Sequence, residues 1–502
     1  MKSISTFLLS ILFIIISIIQ TRAQIQLGDD FNGEASEQLL GHDMALSRDG
    51  SRLAIASPGF DDELGKVQVY QWEEDQWVQL GSNIIPPQNG YFFGESITLS
   101  GDGNRLVIAA LSDLSYLDMQ LVKFVELGQV VEYEWNEEEW VLTNPVFEMI
   151  DYSFDIHDFI DISLSEDGKN LIVTTKWTEP FEQRGTVTVY QRSVDSWVQK
   201  GDALYGGGEF NDWGASTELS ADGNRLLIGD PLETIGTVDD LGAIRTFEWR
   251  DSSWNFMNFA IRGAFPESGI GTHAALSPDG EYLLYSDRIL ELFNNMFLVK
   301  PMKWDGESWI TYGNEFIPFS KSQSLIGNHL RVDISENGNV IAIADPQFNT
   351  ADPQLGRIAI YQKSGDNWIQ AGEVLTGSTD GDRLGTQLVL SNDGKTLAVG
   401  SSSVGENGEN SGQVKVYSLQ PITSTENTVI PKFQLHPNPT TGIVTWNTAD
   451  INKINILNNL GQTVRIVNNP GQNLDISELR NGIYYLQIHH SKEVQTTKLI
   501  KQ

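Results

Sequence analysis

Between residues 40 and 420 the chain runs through short aliphatic stretches separated by turns rich in Gly, Asp and Asn. The first stretch, residues 44–47, predicts a short strand ending in Leu46-Ser47. Arg48-Asp49-Gly50-Ser51 is a tight turn in which glycine supplies a positive φ. Residues 52–56 (Arg-Leu-Ala-Ile-Ala) predict a second strand, and 57–64 a variable loop. In 65–72, Val67 and Val69 fall on one face and Lys66 and Gln68 on the other, the period-2 signature of a third strand. After a turn at 73–76, Trp77-Val78-Gln79-Leu80-Gly81 predicts a fourth. Four antiparallel strands make one propeller blade.

This unit recurs seven times, with turns ending at Gly50, Gly103, Gly168, Gly223, Gly280, Gly338 and Gly394 and intervals of 53, 65, 55, 57, 58 and 56 residues. A period of this size built from strands and turns signals a blade-repeat architecture. Third and fourth strands recur at 128–135 with Trp140, 185–190 with Trp197, 242–249 with Trp254, 298–304 with Trp309, and 356–361 with Trp368. The seventh unit reaches 412–417 and lacks a fourth strand. Its counterpart stands at the other end of the chain. Ile25-Gln26-Leu27-Gly28 matches Val78-Gln79-Leu80-Gly81 and Ile369-Gln370-Ala371-Gly372. The expected fold is therefore all-β, a seven-bladed β-propeller over residues 24–419 closed by the N-terminal strand, which leaves no open blade edge.

Residues 1–23 stand apart. Lys2 precedes the apolar run 7–19, and Thr21-Arg22-Ala23 offers small residues at the −3 and −1 positions. This predicts a secretory signal peptide cleaved after Ala23; the run is short for a membrane span, and no later segment is long and apolar enough to be one. The chain has no cysteine, so it holds no disulfide and no thiol chemistry. Its formal charge of −34 opposes binding to phosphate backbones and anionic lipid surfaces, which argues against a nucleic-acid partner. With 40% hydrophobic and 10% aromatic residues, the acidity belongs to a folded chain rather than a disordered one.

The repeat resembles the FG-GAP family of integrin alpha-chain propellers over residues 25–419. The "FG" element is seen in Leu40-Gly41, Phe93-Gly94, Trp213-Gly214, Ile270-Gly271 and Leu384-Gly385. The "GAP" element is seen in Ala56-Ser57-Pro58, Gly229-Asp230-Pro231 and Ala344-Asp345-Pro346. The third unit departs, with Phe159 where glycine is expected. The family's calcium loops have the form Asp-x-Asp-x-Asp-Gly, in which alternating oxygens wrap a hard cation. No unit here has that spacing. The acidic loops at Asp61-Asp62-Glu63, Asp239-Asp240, Asp380-Gly381-Asp382 and 406–409 read as solvated loops, so no cofactor is expected and the calcium sites are not carried over.

Residues 420–431 have linker composition. From 432 the repeat gives way to short alternating strands at 442–446, 453–457, 463–467, 482–488 and 494–500, which suggest a small C-terminal β-sandwich. This segment resembles the type A sorting domain of the type IX secretion system. The matching residues are Leu435-His436-Pro437-Asn438-Pro439-Thr440, Gly461-Gln462-Thr463-Val464, Gly482-Ile483-Tyr484-Tyr485 and Lys498-Leu499-Ile500-Lys501. The resemblance implies the type IX machinery as partner, export through the outer membrane of a Gram-negative bacterium, and removal of the domain, followed by release or surface attachment. The residues that carry it are Pro437, Asn438, Pro439, Gly461, Gly482, Tyr484 and Lys498.

Chemistry is harder to find. The turn residues Asp49, Asp102, Asp167, Asp222, Asp279 and Asp393, with Asn337 in the sixth unit, recur too regularly for one active site and read as hairpin turns. Ten of the thirteen tryptophans sit at repeat positions in third and fourth strands and read as packing. Trp177, in a variable loop, is the one weak candidate for ligand stacking. His42, His273 and His329 fall near one repeat position in different units, and no metalloprotease, nucleophile-elbow or phosphate-loop spacing occurs. The longest insertions, 111–127 and 144–160, are expected to form loops that carry a binding surface. The expected function is that of an exported surface or secreted binding and adhesion module with a polysaccharide or surface-protein ligand. Its rivals are a polysaccharide-degrading enzyme with carboxylates at the propeller channel and a purely structural surface protein.

Overall fold

The computed structural model describes residues 24–87, 90–112, 116–118, 123–151, 160–175, 185–194, 196–207, 212–236, 238–289, 296–319, 330–348, 354–379, 381–419, 439–446, 451–458, 463–468, 470–471, 473–490 and 494–502. The signal peptide, the linker 420–431, Phe159, Trp177, Pro437, Asn438 and Gly461 lie outside them. The described chain is all-β: seven antiparallel sheets of four or five strands fall in the region of the repeat, followed by a two-stranded and a four-stranded sheet.

Each repeat begins with a side-chain-built turn. The Ser47 hydroxyl donates to Asp49 Oδ1 at 2.8 Å, the Ser51 amide donates to the same oxygen at 3.0 Å, and Ser47 Oγ accepts from the Arg52 amide at 2.9 Å. Gly50 completes the turn at φ 68°. The Ser–Asp bond recurs at Asp102, Asp167, Asp222, Asp279 and Asp393, and Asn337 accepts from Ser335 in the same way at 3.0 Å. Arginines two residues past this glycine reach to the next turn: Arg52 Nη1 donates to Gly103 O at 2.9 Å, Arg105 Nη1 to Gly168 O at 2.7 Å and Arg225 Nη1 to Gly280 O at 2.8 Å. The recurring Asp-Gly is thus a structural turn, as its regularity implied.

The second strand of each sheet is the most buried. In Arg52–Ser57, Asn170–Thr175, Val340–Asp345 and Thr396–Ser401 nearly every residue is enclosed on both faces. A strand with a sheet stacked against each face must be apolar continuously rather than alternately. The "FG" residues join neighbouring sheets. Phe93 forms an isolated parallel bridge with Gly65, and the same bridge links Ile270 to Gly242, Leu384 to Gly356 and Leu40 to Gly412. A Cβ on Gly65 would lie 2.3 Å from Phe93 O, so this approach excludes any side chain.

The first, innermost strands are Met44–Leu46, Gly90–Leu99, Ile160–Leu164, Thr217–Leu219, Ala274–Leu276, Arg331–Ile334 and Gln387–Leu390. Each touches the next in chain order, and the seventh touches the first. The N-terminal strand Gln24–Gln26 pairs antiparallel with Gln413–Leu419, the third strand of the seventh sheet, in the register Gln24↔Leu419 and Gln26↔Tyr417. The Gln24 side chain also donates to Ala371 O at 2.9 Å.

Two features differ from the expectation. Much of the insertions read as loops is strand: Lys123–Trp135 and Trp140–Asp151 pair out to Glu126↔Asp151, against eight residues in the equivalent Lys66–Glu73. Their β-branched and aromatic content continues through the supposed loop and lengthens the hairpin. Short extra strands also extend the outer edge, Leu204–Tyr205, Ile261–Arg262, Leu375–Thr376 and Phe31–Asn32, each pairing with the third strand of its sheet.

In the C-terminal segment, Thr463–Asn468, Ile451–Asn458, Gly482–His490 and Val494–Lys501 form one antiparallel sheet in that order, and Ile443–Thr445 pairs with Asn473–Asp475. Its core gathers Val444, Trp446, Ile454, Ile456, Leu474, Ile476, Leu486, Ile488 and Leu499. Among the described residues no helix is long and apolar enough to cross a membrane.

Candidate functional site

The inner strands present side chains to the space they surround. Polar residues recur two and four positions before the repeat serine: Asp43, Ser96, Thr98, Asp161, Glu218, Arg331, Asp333 and Gln387. None was singled out from sequence. The signal was available in that spacing, because the inner strand alternates faces and carries polar residues on one of them.

In four of the inner strands an N–H group is taken by a side chain of the preceding sheet. Asp43 Oδ2 accepts from the Ile97 amide at 2.7 Å, Thr98 Oγ1 from Leu164 at 3.0 Å, Glu218 Oε2 from Leu276 at 2.5 Å, and Asp333 Oδ2 from Leu390 at 2.7 Å. Asp43 Oδ1 also accepts from its neighbour Met44 at 2.8 Å and from the Gln387 amide. Arg331 Nη1 donates to Gln387 Oε1 at 3.0 Å, and the Ser96 hydroxyl donates to Asp161 Oδ1 at 3.1 Å.

Burial sets the charge of this wall. It raises the carboxyl of Asp43 and lifts that of Asp333 to about 7, against the backbone donors that favour the ionised form. Glu218 is pushed well up by burial and then by repulsion from Asp333 and Asp161. Burial draws the Arg331 guanidinium down, while Asp43 and Asp161 oppose that shift. For His42, burial alone lowers the imidazole, but Glu95 at 3.4 Å outweighs it and the net shift is upward. The wall can therefore hold protons near neutrality, while its principal carboxyls already serve as acceptors for the neighbouring strand.

A second acidic position lies where the second strand ends. Arg357 bonds Asp345 at 2.9 Å and sits 4.0 Å from the rings of both Phe319 and Phe348. Lys300 meets Asp287 at 2.6 Å. Asp230 is lifted to about 7 by burial and by Glu233, against Arg245 at 3.8 Å. An acid–base pair at this one repeat position in three of the sheets is a packing device.

Of the residues singled out from sequence, His273 holds the wall's repeat position four before Ser277 and His42 adjoins Asp43, while the acidic loops and the sorting residues are elsewhere. Asp61, Asp62 and Glu63 form a turn with φ of 52°, 60° and 71°. Among the described residues no three His, Asp or Glu side chains group as ligands for a metal ion. In the C-terminal segment, Pro439 is exposed and precedes Thr440, whose amide donates to Ile500 O at 2.9 Å. Gly482 pairs with Lys501, and Tyr485 with Lys498, across the last hairpin. Tyr484 is buried, and its hydroxyl donates to Arg480 O at 2.8 Å. The described sorting residues thus tie the final strands together rather than line a cavity.

Several solved structures are similar to this chain at low identity. The hydrazine synthase of Kuenenia stuttgartiensis shares 13% identity at a TM-score of 0.43, with 76% of this chain and 95% of that chain covered. An oligogalacturonate lyase in complex with manganese shares 12% at 0.46, covering 80% and 99%. The β-propeller domain of the Trilobed protease from Pyrococcus furiosus shares 11% at 0.39, covering 72% and 90%. TM-scores this low carry no argument about activity. A comparison with curated proteins finds no match. Residues 434–502 match the family described as secretion system C-terminal sorting domain, and that tail implies delivery by the type IX secretion machinery to the outer membrane or cell surface.

Proposed function

We propose that the mature chain is an exported binding module: a seven-bladed β-propeller of the FG-GAP type, closed by the N-terminal strand, over residues 24–419. A linker at 420–431 joins it to a sorting domain at 432–502, which is removed on export. Ring closure is supported by the contact of the first and seventh inner strands and by the Leu40–Gly412 bridge. The signal peptide at 1–23 accounts for passage across the inner membrane, and the sorting tail for the remaining step.

One observation favours binding over catalysis. Asp43, Glu218 and Asp333, the carboxyls that burial raises on this wall, each accept a backbone N–H of the next inner strand. A general acid or base has to lend its proton-carrying oxygen to a substrate; these groups are committed to closing the exposed edges of the sheets. The ligand class is a polysaccharide or a surface protein. The test is a glycan array probed with the purified mature chain, with released sugars measured in parallel. Retention on glycans without product supports the binding module.

The rival reading, a polysaccharide-degrading enzyme, is favoured by burial that lifts Asp333 to about 7 and pushes Glu218 well up on the same wall. Released sugar that vanishes in Asp333→Asn and Glu218→Gln would establish it in place of the binding role.

A further inference from the structure

Three seams between neighbouring sheets are sealed in the same way, and the seam between the fourth and fifth sheets is built differently. Four residues after the position of the fourth-strand tryptophan stands a glycine in five units: Gly28, Gly81, Gly201, Gly313 and Gly372, at φ 72°, 78°, 77°, 83° and 78°. A Cβ there would lie 3.1 Å from Trp77 at Gly28, 3.0 Å from Trp135 at Gly81 and 2.7 Å from Trp249 at Gly201. At these three positions the glycine lets the loop press on the tryptophan pair of the next sheet. The carbonyl before it accepts the indole N–H: Trp77 Nε1 donates to Leu27 O at 3.2 Å, Trp140 to Leu80 O at 3.0 Å and Trp254 to Lys200 O at 3.0 Å. The next residue is polar in these five units: Asp29, Ser82, Asp202, Asn314 and Glu373. The second unit has Asn144 at the glycine position, inside the long strand Trp140–Asp151.

In the fourth unit Asn258 holds the glycine position at φ 70°, and Phe259, 62% exposed, replaces the polar residue. The Asn258 side chain donates to Glu307 O at 2.8 Å, and the Trp309 indole turns to Thr246 Oγ1 at 2.9 Å instead of a loop carbonyl. A cavity of about 220 Å³ lies at this seam, with Phe259, Ile261, Met302 and Trp309 as apolar wall and Asn258 and Arg262 as polar groups. The seam after the second unit also departs from the pattern, the Trp197 indole donating to Glu132 Oε2 at 2.9 Å, but at the fourth the departure puts an exposed aromatic ring beside a cavity, which marks a candidate functional position.

We propose that this seam between the fourth and fifth sheets binds one neutral pyranose ring of a glycan chain. The inference rests on the binding function above and gives it a site. The cavity exceeds the ~150 Å³ void that takes up a benzene, so one six-membered ring fits. With its amide nitrogen on Glu307 O, Asn258 keeps Oδ1 as an acceptor. Arg262 Nε and Nη2 hold Glu233 Oε1 at 3.1 and 3.0 Å, a carboxylate that also meets Arg245 at 2.7 Å, which leaves Arg262 Nη1 as a donor. A hydroxyl both donates and accepts. A ring with apolar faces and a hydroxyl edge satisfies wall and polar groups together, whereas a hydrocarbon side chain strips water from Oδ1 and Nη1 without replacing it.

The experiment is saturation-transfer NMR on the full mature chain with the methyl pyranosides of glucose, galactose, mannose and N-acetylglucosamine, and with phenol as a purely aromatic probe. Asn258→Gly and Phe259→Asp restore residue types the repeat already uses, so both variants keep the wild-type melting temperature. Each is expected to weaken pyranoside binding at least tenfold, while Phe256→Ala, exposed on the same sheet outside the cavity, leaves it unchanged. Uptake of phenol with none of the pyranosides overturns the ligand class, and unaltered pyranoside affinity in both variants overturns the site. Glycan-array binding that both variants keep overturns this site and spares the binding function; no glycan bound by the wild type overturns both.

Discussion

Aspartate serves two regions of this molecule and is pushed in opposite directions in them. In the hairpin turns, burial tends to raise Asp49, Asp102, Asp167 and Asp222, but backbone amides and serine hydroxyls outweigh it and all four lie below the ordinary range. On the inner wall, Asp43 and Asp333 also accept backbone amides, yet burial wins and both are raised. The donors are of the same kind; solvent access to the rest of the carboxylate is what differs. A turn can hold its aspartate ionised because water reaches the second oxygen. A wall surrounded by other inner strands cannot.

The sharpest way to break this comparison is to remove an acceptor from the wall. Asp333→Ala leaves the amides of Ile334 and Leu390 without a partner, and urea unfolding is expected to show a loss of about 2–4 kcal/mol. The pH profile comes next. A carboxyl whose folded pKa is raised gives stability that is full at acid pH and is lost as pH rises through that value. Wild-type protein should therefore lose stability between the ordinary carboxylate range and about pH 7, and Asp333→Asn should flatten that slope. The turn aspartates act with the opposite sign, their contribution falling away only in stronger acid, so Asp167→Asn should leave the neutral slope intact.

Smaller effects test the turn itself. Ser165→Ala removes the acceptor of the Asn170 amide at 2.9 Å together with the donor to Asp167, and is expected to cost about 1–2 kcal/mol in thermal unfolding. Asp167→Asn should change stability by less than ~0.5 kcal/mol, because Asn337 makes the same bonds in the sixth unit. A large loss there would mean that the turn depends on charge as well as on shape.

Much of the fold was legible because the repeat states it seven times. The Ser-x-Asp-Gly turn, the aliphatic second strand and the tryptophan of the fourth strand each answer to a local demand: a positive φ, burial on both faces, a large ring to fill a seam. The N-terminal strand was legible because Ile25-Gln26-Leu27-Gly28 copies the missing segment. The expected loop at 144–151 became strand because pairing with residues 126–132 rewards its β-rich run, and Asn144-Pro145 is taken up at a register shift between Val130 and Glu132. The candidate site was scarcely legible. Asp43, Glu218 and Asp333 look like ordinary strand polar residues until seven inner strands are brought together, and Asn258 looks like an ordinary turn residue until it is set beside five glycines.

By itself, then, the sequence determined the repeat, its turn chemistry and the sorting tail, all of which rest on residues near one another in the chain. Which carboxyls share a wall, which of them stay protonated and which seam is left open depend on groups that are about fifty residues or more apart. Burial and charge act through space, so only the tertiary structure could decide them.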